Sequence, residues 1–343
     1  MQRERNFDLL RAISCISIVL LHVASLYTEH ENVIAAHTAA EFSFSDFFQI
    51  ITRTAVPCFV MLSGAFMLGK KKLDISGFYK NSFLKLGIPT ILFSLIYIFV
   101  RVISKESIKT IALDTLNGSP IGHMWYMFML VGLYAVYPMI LYFKNSVSKK
   151  TFAVYTAIAL VLSSVVHYTC QLIWPVMFME YIGYFMAGYL IRTSAGRIRI
   201  KPLVSLSVSA AFLLLTYLLN ELSFYNGYYI SGLYRHPDFP TVIIASLFCF
   251  LAFAKMKTTR PGRLTGVVVK YSMLIYLVHP LVYGLINKLL IGRLFDKLPT
   301  AFWYVFALFA VTLAASVAIS AVYQKIFDMI ARGLSKRKRA GNK

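Results

Sequence analysis

Ten stretches of mostly apolar residues follow one another along this chain of 343 residues. Most of them are close in length to the roughly 20 helical residues that cross a bilayer core. Because lipid offers no hydrogen bonds, a backbone that crosses it must satisfy its own N–H and C=O groups, and segments of this length do so as α-helices. We therefore predict an all-α, polytopic membrane helix bundle of about ten transmembrane helices in a single domain. The predicted spans are residues 7–27, 45–68, 81–103, 123–143, 151–169, 172–191, 202–220, 239–255, 266–290 and 301–330.

Composition supports a membrane protein. Apolar residues make up 58% of the chain and the mean hydropathy is +0.67, which excludes an ordinary soluble domain. The first stretch keeps an arginine and a histidine and has no small-residue cleavage site, so we interpret it as a retained helix and not as a signal peptide. The last stretch exceeds a bilayer thickness, and we expect its end to project into the cytoplasm.

The net charge of +21 is a signal of topology. With the N-terminus in the cytoplasm, 27 of the 35 Lys and Arg residues fall in cytoplasmic segments, seven fall in outer loops, and Arg53 lies within the second span. Lys and Arg concentrate in short cytoplasmic loops, so both termini are predicted to be cytoplasmic. The basic surface suits the anionic head groups of the bilayer or an anionic cytoplasmic ligand. We expect no nucleic-acid partner.

Arg11 and His22 lie on one face of the first predicted span. They are eleven positions apart, which at ~100° per residue is about three full turns. At ~1.5 Å per residue they are roughly 16 Å apart along the helix axis. An ionisable residue inside a span is costly unless it meets a partner or a wet cavity, so the pair is a candidate site. The alternative is that Arg11 reaches the cytoplasmic surface and His22 bonds a neighbouring helix.

His279 and Arg53 are two further ionisable residues inside predicted spans. His279 lies about as far from the cytoplasmic side as His22, so we expect the two histidines to line one polar cavity near mid-membrane, with Arg53 as a third wall. The alternative for His279 is a packing histidine bonded to a neighbour. Pro57 follows Arg53 and predicts a local break in the second span. For Ser63-Gly64, close helix packing is the favoured interpretation.

Two more groups of residues can be interpreted either as binding sites or as ordinary membrane-boundary residues. Lys80 and Lys85 open the third span, where they can hold phosphate beside a helix N-terminus or anchor the span by the positive-inside rule. His123, Trp125 and Tyr126 open the fourth span on the outer side, where aromatic residues usually mark the interface. The aromatic outer loop at 221–238 is either an interfacial belt or a surface for stacking sugar rings.

Several kinds of chemistry have no signature in the sequence. It contains no Gly-rich nucleotide loop, no Gly-x-Ser-x-Gly elbow and no paired-carboxylate motif. The four cysteines have no metal-ligand spacing and are interpreted as packing residues, so we expect no metal. Histidine and arginine remain: a neutral imidazole accepts a proton from a hydroxyl, and a guanidinium binds phosphate in a bidentate manner.

Four motifs, in order along the chain, resemble those of the integral-membrane acyltransferase family, acyltransferase type 3. In the first, Arg11 and His22 match the Arg-x10-His motif, together with the preceding Asp8-Leu-Leu. The other three motifs are Val56-Pro-Cys-Phe-Val-Met-Leu-Ser63-Gly64, His123-Met-Trp125-Tyr126 and Ser272-Met-Leu-Ile-Tyr-Leu-Val-His279. The first of these three departs from the family pattern at Cys58 and Val60, and the second has Met124 in place of Leu.

The resemblance implies transfer of an acyl group, usually acetyl from acetyl-CoA, to a hydroxyl of a cell-surface or lipid-linked carbohydrate. It also implies a multi-pass protein of the bacterial plasma membrane.

Roles for the candidate residues follow from this implied reaction. His22 would deprotonate the hydroxyl or relay the acyl group. His279 and Arg53 would orient the His22 base or bind the thioester oxygen. Acyl-CoA would meet Arg11, Lys80 and Lys85 on the cytoplasmic side. The acceptor would enter past His123, Trp125 and Tyr126 from the outer side.

The competing class is a transporter or flippase of a lipid-linked glycan or its precursor, which also needs intramembrane charges and broken helices. No internal repeat supports it. A purely structural membrane scaffold would leave the buried charges unexplained.

The charge distribution gives a prediction for topology. Reporter fusions at positions 35, 110 and 230 should report an external location, and those at 75, 147, 197 and 260 a cytoplasmic one. Inversion of any two of these reporters would contradict the ten-span arrangement.

Overall fold

The computed structural model describes residues 4–29, 37–170, 176–227, 233–257 and 262–340, with the backbone alone for Cys170 and residues 330–340. The start of the sixth predicted span and Tyr228-Tyr229 of the aromatic outer loop lie outside these residues. Within the described residues the regular structure is helical and includes no strand. The prediction of an all-α polytopic helix bundle is confirmed.

Thirteen α-helices are described, and we number them in chain order. They are α1 Arg5–Ala24, α2 Ala39–Ile51, α3 Ala55–Met67, α4 Ile75–Ser82, α5 Ile88–Ile103, α6 Ile108–Leu116, α7 Trp125–Ser146, α8 Lys149–Cys170, α9 Ile182–Ser194, α10 Pro202–Tyr225, α11 Pro240–Lys255, α12 Arg263–Leu294 and α13 Ala301–Ala340. Short 3₁₀ turns at Ser25–Tyr27, Gly122–Met124 and Met177–Tyr181 adjoin α1, α7 and α9, and a π-helical turn at Phe83–Gly87 joins α4 to α5.

Eight helical stretches of the described chain are long and apolar enough to cross a membrane. Two predicted spans correspond to shorter helices. The helix α11 is apolar but has 16 residues, and α9 has 13 residues after its 3₁₀ turn. The count of ten spans and the cytoplasmic location of both termini stay predictions.

The break in the second predicted span covers residues 52–54 and therefore includes Arg53. The helix α2 ends at Ile51, α3 begins at Ala55, and Pro57 is the third residue of α3. The first turn of a helix tolerates proline because its N–H groups have no partner within the helix. Pro57 therefore begins a new helix, and the carbonyl it leaves without a helical donor is that of Arg53.

A π-helical turn interrupts the third predicted span at Lys85. Pro89 has no N–H to bond the carbonyl of Lys85 four residues earlier. The chain responds with a wider turn, in which the N–H of Ile88 donates to the carbonyl of Phe83. Such turns are rare and often occur at functional sites.

The described chain divides into two compact units. The first contains α1, α2, α12 and α13, from the two ends of the sequence. In this unit α1 packs beside α12 in the same direction, since Cys15 contacts Ser272 and His22 contacts His279 with the same offset along the chain. The seven-residue step between these contacts is the spacing that keeps two nearly parallel helices in register.

Glu41 joins two helix beginnings within the first unit. One of its carboxylate oxygens completes a capping box with Thr38 at the start of α2. The other accepts the N–H of Ala301, at the start of α13, at 3.0 Å. The unpaired N–H groups of two helices are thereby satisfied by one buried carboxylate.

The second unit contains α3 to α11. Within this unit α3 and α9 approach each other closely, because two glycines let their backbones touch. A Cβ on Gly64 would lie 1.7 Å from the carbonyl oxygen of Phe185, and a Cβ on Gly188 would lie 1.9 Å from that of Met61. These two contacts run in opposite senses along the chain, so α3 and α9 are antiparallel. The packing interpretation of Ser63-Gly64 is supported at Gly64.

We expect Gly188→Ala to destabilise the protein because its methyl group would overlap a backbone carbonyl that has no freedom to rotate away. Overpacking of this kind costs about 1–3 kcal/mol, which should lower the Tm of the detergent-solubilised protein by several degrees. Gly266→Ala in α12 is the control, since nothing lies within 4 Å of its added Cβ. An unchanged Tm for Gly188→Ala would contradict the backbone contact.

Candidate active site

His22 and His279 are adjacent in the first unit. His22 Nδ1 and His279 Nε2 are 3.4 Å apart, and the ring centroids are 5.0 Å apart with an interplanar angle of 49°. His279 is fully buried, whereas His22 is partly exposed. The two histidines that the sequence analysis expects to share a site are therefore brought together. Their catalytic roles stay predictions.

The two histidines occupy different positions in their helices. His22 is the third residue from the end of α1, and the hydroxyl of Ser25 donates to its carbonyl at 3.0 Å. His279 lies in the middle of the 32-residue α12. The sequence analysis places His22 deep within a longer span, but the backbone tightens into a 3₁₀ turn at Ser25 and ends the α-helix there.

Hydrogen bonding determines which nitrogens of the pair carry protons. Nδ1 of His279 lies 3.1 Å from the carbonyl oxygen of Ile275, one turn earlier in α12. A carbonyl only accepts, so this nitrogen carries the proton and Nε2 carries a lone pair. Nδ1 of His22 must then donate to that lone pair. The remaining nitrogen of His22, Nε2, has a lone pair that can accept a proton.

Aromatic and polar side chains surround this pair within the same unit. The rings of Tyr276 and Tyr283 lie 5.8 and 6.4 Å from that of His279. Beyond the end of α1, Gln49 donates to Thr28 at 2.7 Å and to Glu29 at 3.1 Å. Thr28 follows His22 by six residues, so this polar group lies just beyond the end of α1 that carries the histidine.

Arg11 is partly exposed and lies on the same uninterrupted helix as His22. Because α1 runs without a break from Arg5 to Ala24, the separation of roughly 16 Å along the axis applies to the folded protein. Binding of CoA phosphates by Arg11 stays a prediction.

Arg53 is the first residue of the second unit. It lies within electrostatic range of Tyr181 and His236, both in that unit. Its predicted place in the wall of the histidine site stays a prediction.

The predicted acceptor-side residues form part of an aromatic group in the second unit. His123 is buried and its ring meets that of Tyr97 edge-on at 4.9 Å. Trp125 lies beside Tyr181 at 5.6 Å, and Tyr126 lies 6.1 Å from Trp125. The group therefore extends from α7 to the 3₁₀ turn that precedes α9. Its role in binding an acceptor stays a prediction.

Lys85 lines an open pocket of about 530 Å³ in the second unit. Lys70 and Lys72 also line it, together with Asn81 and the first turn of α4, whose N-terminus is capped by Asp74. Lys80 is exposed but is not among the residues that line this pocket. Three ammonium groups around one concave surface suit a phosphate-bearing ligand.

A cluster formed by His167, Glu180, His236 and Asp238 lies in the second unit and is not among the sites predicted from the sequence. His167 and Glu180 are ionisable residues inside predicted spans, which is the signal that identifies His22 and Arg53. His236 and Asp238 fall in the aromatic outer loop, where the tyrosines dominate the pattern.

Comparison with known proteins agrees with the four sequence motifs. The sequence profile of an acyltransferase domain family matches residues 4–321, nearly the whole chain. No curated protein and no solved structure matches, so a narrower resemblance of the motifs to the enterobacterial common antigen O-acetyltransferase stays a prediction. The chain is a multi-pass membrane acyltransferase that belongs to the acyltransferase type 3 family.

Proposed function

We propose that this chain is an O-acyltransferase that moves an acyl group, acetyl in the first instance, from cytoplasmic acyl-CoA to a hydroxyl of a cell-surface or lipid-linked carbohydrate. The observation that carries the proposal is the contact between His22 and His279. Membership of an acyltransferase family supplies the class of reaction, and the pair supplies a base together with a residue that orients it.

The chemistry follows from the proton positions. His22 Nε2 accepts the proton of the acceptor hydroxyl as that oxygen attacks the thioester carbonyl. Collapse of the tetrahedral intermediate breaks the C–S bond, and the leaving CoA thiolate takes the proton back from His22. The products are an ester and free CoA, and His22 is returned to its neutral form. His279 accepts a hydrogen bond from the Nδ1–H of His22 throughout, and this bond fixes the orientation of the His22 imidazole.

A second route uses the same groups in two steps. His22 Nε2 attacks the thioester carbonyl, the C–S bond breaks, and CoA leaves as a thiolate that takes a proton from water. The acceptor hydroxyl then attacks the acyl carbon, the C–N bond breaks, and the hydroxyl proton is released to water while His22 returns to its neutral form. Ping-pong kinetics and a burst of free CoA before acceptor is added are the signature of this route. A sequential mechanism without a burst is the signature of direct transfer.

The donor is proposed to bind with its phosphates near Arg11. A guanidinium at the entry of α1 binds phosphate in a bidentate manner, and the thioester at the far end of the pantetheine arm then lies toward His22. The lysine-lined pocket around Lys85 is a second cationic site on the chain. We infer that it also serves the phosphates of acyl-CoA, since several ammonium groups line one concave surface.

The reaction is tested with full-length protein in liposomes, labelled acetyl-CoA and fractions of the cell envelope as acceptors. Wild-type protein should release CoA and label a carbohydrate. His22→Ala should lower transfer by about 10²–10⁴-fold, the usual contribution of a general base, while acetyl-CoA binding remains. His37→Gln, another histidine of the first unit, is the matched control. Near-normal transfer by well-expressed His22→Ala would remove His22 as the base, and glycan movement without CoA release would favour the flippase.

His279 is expected to act through His22 as a positioning residue. His279→Ala should lower kcat with little change in the KM for acetyl-CoA, because a residue that acts only by orienting His22 does not contribute to donor binding. His279→Gln should recover part of kcat, since its amide oxygen can accept the Nδ1 proton of His22. An equal loss in both variants would contradict the positioning role.

The donor site predicts a different kinetic signature for Arg11. Arg11→Ala should raise the KM for acetyl-CoA by about tenfold or more with a smaller change in kcat, because a charge-assisted bond to phosphate contributes about 1.5–3 kcal/mol. Arg5→Ala is the matched control, since Arg5 is exposed on another face of the same helix. An unchanged KM in Arg11→Ala would place the CoA phosphates elsewhere.

A further inference from the structure

Four ionisable side chains meet near the start of α9 without taking part in the acyl transfer proposed above. His167 comes from α8, Glu180 from the 3₁₀ turn Met177–Tyr181, and His236 and Asp238 from the loop before α11. One potential ligand atom of each lies within 4.8 Å of those of the other three. All four belong to the second unit.

The carboxylates of this cluster are buried. Asp238 is fully buried and Glu180 is 5% exposed. Neither oxygen of Asp238 accepts a hydrogen bond from any residue that the structure describes. Glu180 and Ser163 lie close enough to affect its pKa, but neither is placed at hydrogen-bonding geometry. A buried carboxylate in this position needs a proton or a cation.

The donor chemistry of the cluster suits a cation. Two neighbouring buried carboxylates repel each other when both are ionised, and imidazole nitrogens bind metal ions through their lone pairs. A divalent ion would stabilise both carboxylates as anions.

The loop that carries His236 and Asp238 is held in place by three side chains from neighbouring helices. Tyr168 donates to the carbonyl of Leu233 at 3.0 Å and Tyr184 donates to that of Pro237 at 2.6 Å. Ser164 donates to the carbonyl of Asp238. The backbone of the loop is therefore fixed independently of the four cluster side chains, as a preorganised site requires.

The distances are close to those of a tetrahedral site. His167 Nδ1 lies 3.4 Å from Glu180 Oε1, and His236 Nδ1 lies 3.5 Å from Asp238 Oδ2. Ligands at about 2.0–2.1 Å from Zn²⁺ are about 3.3 Å apart in a tetrahedron. Two pairs already have this separation, and all four ligand atoms lie within 4.8 Å of one another. The two imidazole rings are stacked with centroids 3.4 Å apart, so one ring must turn before both nitrogens can face one ion.

We propose that His167, Glu180, His236 and Asp238 bind one divalent transition-metal ion, with Zn²⁺ as the first candidate. Two imidazoles and two carboxylates are a donor set that suits first-row divalent metals. The ion joins α8, the start of α9 and the loop before α11. It therefore stabilises the part of the second unit where Trp125 packs against Tyr181. No metal is expected from the sequence because the cysteines lack metal-ligand spacing, and these four ligands, spread from residue 167 to residue 238, form no spacing motif either.

The proposal is tested by metal binding to full-length protein purified in detergent with a tag that contains no histidine. After treatment with a chelator, the protein is titrated with Zn²⁺ against a chromophoric competitor, and bound metal is counted by mass spectrometry. We expect one Zn²⁺ per chain and a rise in Tm of more than about 3 °C with excess Zn²⁺. Co²⁺ should give a visible absorption spectrum of a nitrogen- and oxygen-ligated ion.

Asp238→Asn and the isosteric Glu180→Gln should each weaken Zn²⁺ binding by about tenfold or more and remove the rise in Tm. Glu106→Gln, an exposed carboxylate of the same unit, is the matched control and should bind as wild type. Wild-type protein that binds no Zn²⁺ or Co²⁺ would overturn the proposal whether or not the variants fold. A higher Tm for Asp238→Asn than for wild type in the absence of metal would also overturn the proposal. That is the result expected if Glu180 and Asp238 share a proton.

Discussion

The contact between His22 and His279 is the interaction on which the candidate active site depends. An imidazole inside an apolar helix pair is unfavourable unless its nitrogens are satisfied. Here the carbonyl of Ile275 accepts from one nitrogen of His279 and His22 donates to the other. The arrangement fixes both tautomers and directs the remaining lone pair of His22 away from the pair. The same bonds that make the burial of His279 tolerable therefore also prepare His22 as a base.

The helices around this contact serve to hold it in register. Because α1 and α12 are parallel, the Cys15–Ser272 and His22–His279 contacts lie on one seam, seven residues apart on both helices. Glu41 then joins the beginnings of α2 and α13 in the same unit through buried hydrogen bonds. In lipid, where apolar burial adds little to helix association, such polar contacts and close packing determine which helices pair.

The second unit uses the same physical means differently. Gly64 and Gly188 allow α3 and α9 to touch along their backbones. The 3₁₀ turn before α9 carries Glu180 and Tyr181. This turn therefore connects the cluster of two histidines and two carboxylates to the aromatic group around Trp125. Proline has a comparable effect at Pro57 and Pro89, where the missing N–H moves a helix start or widens a turn. The result places Arg53 and Lys85 at irregular backbone, where side chains can reach ligands.

The sequence by itself determined the helical class and identified several of the ionisable residues inside apolar spans, because lipid permits few solutions for a backbone and few positions for a charge. It also identified Arg11, His22 and His279 as candidates. Only the tertiary structure decided that His22 and His279 touch, since the contact joins residues 257 positions apart. The cluster of His167, Glu180, His236 and Asp238 was likewise beyond local pattern, because its ligands come from three separate segments and acquire their shared environment only when those segments pack together.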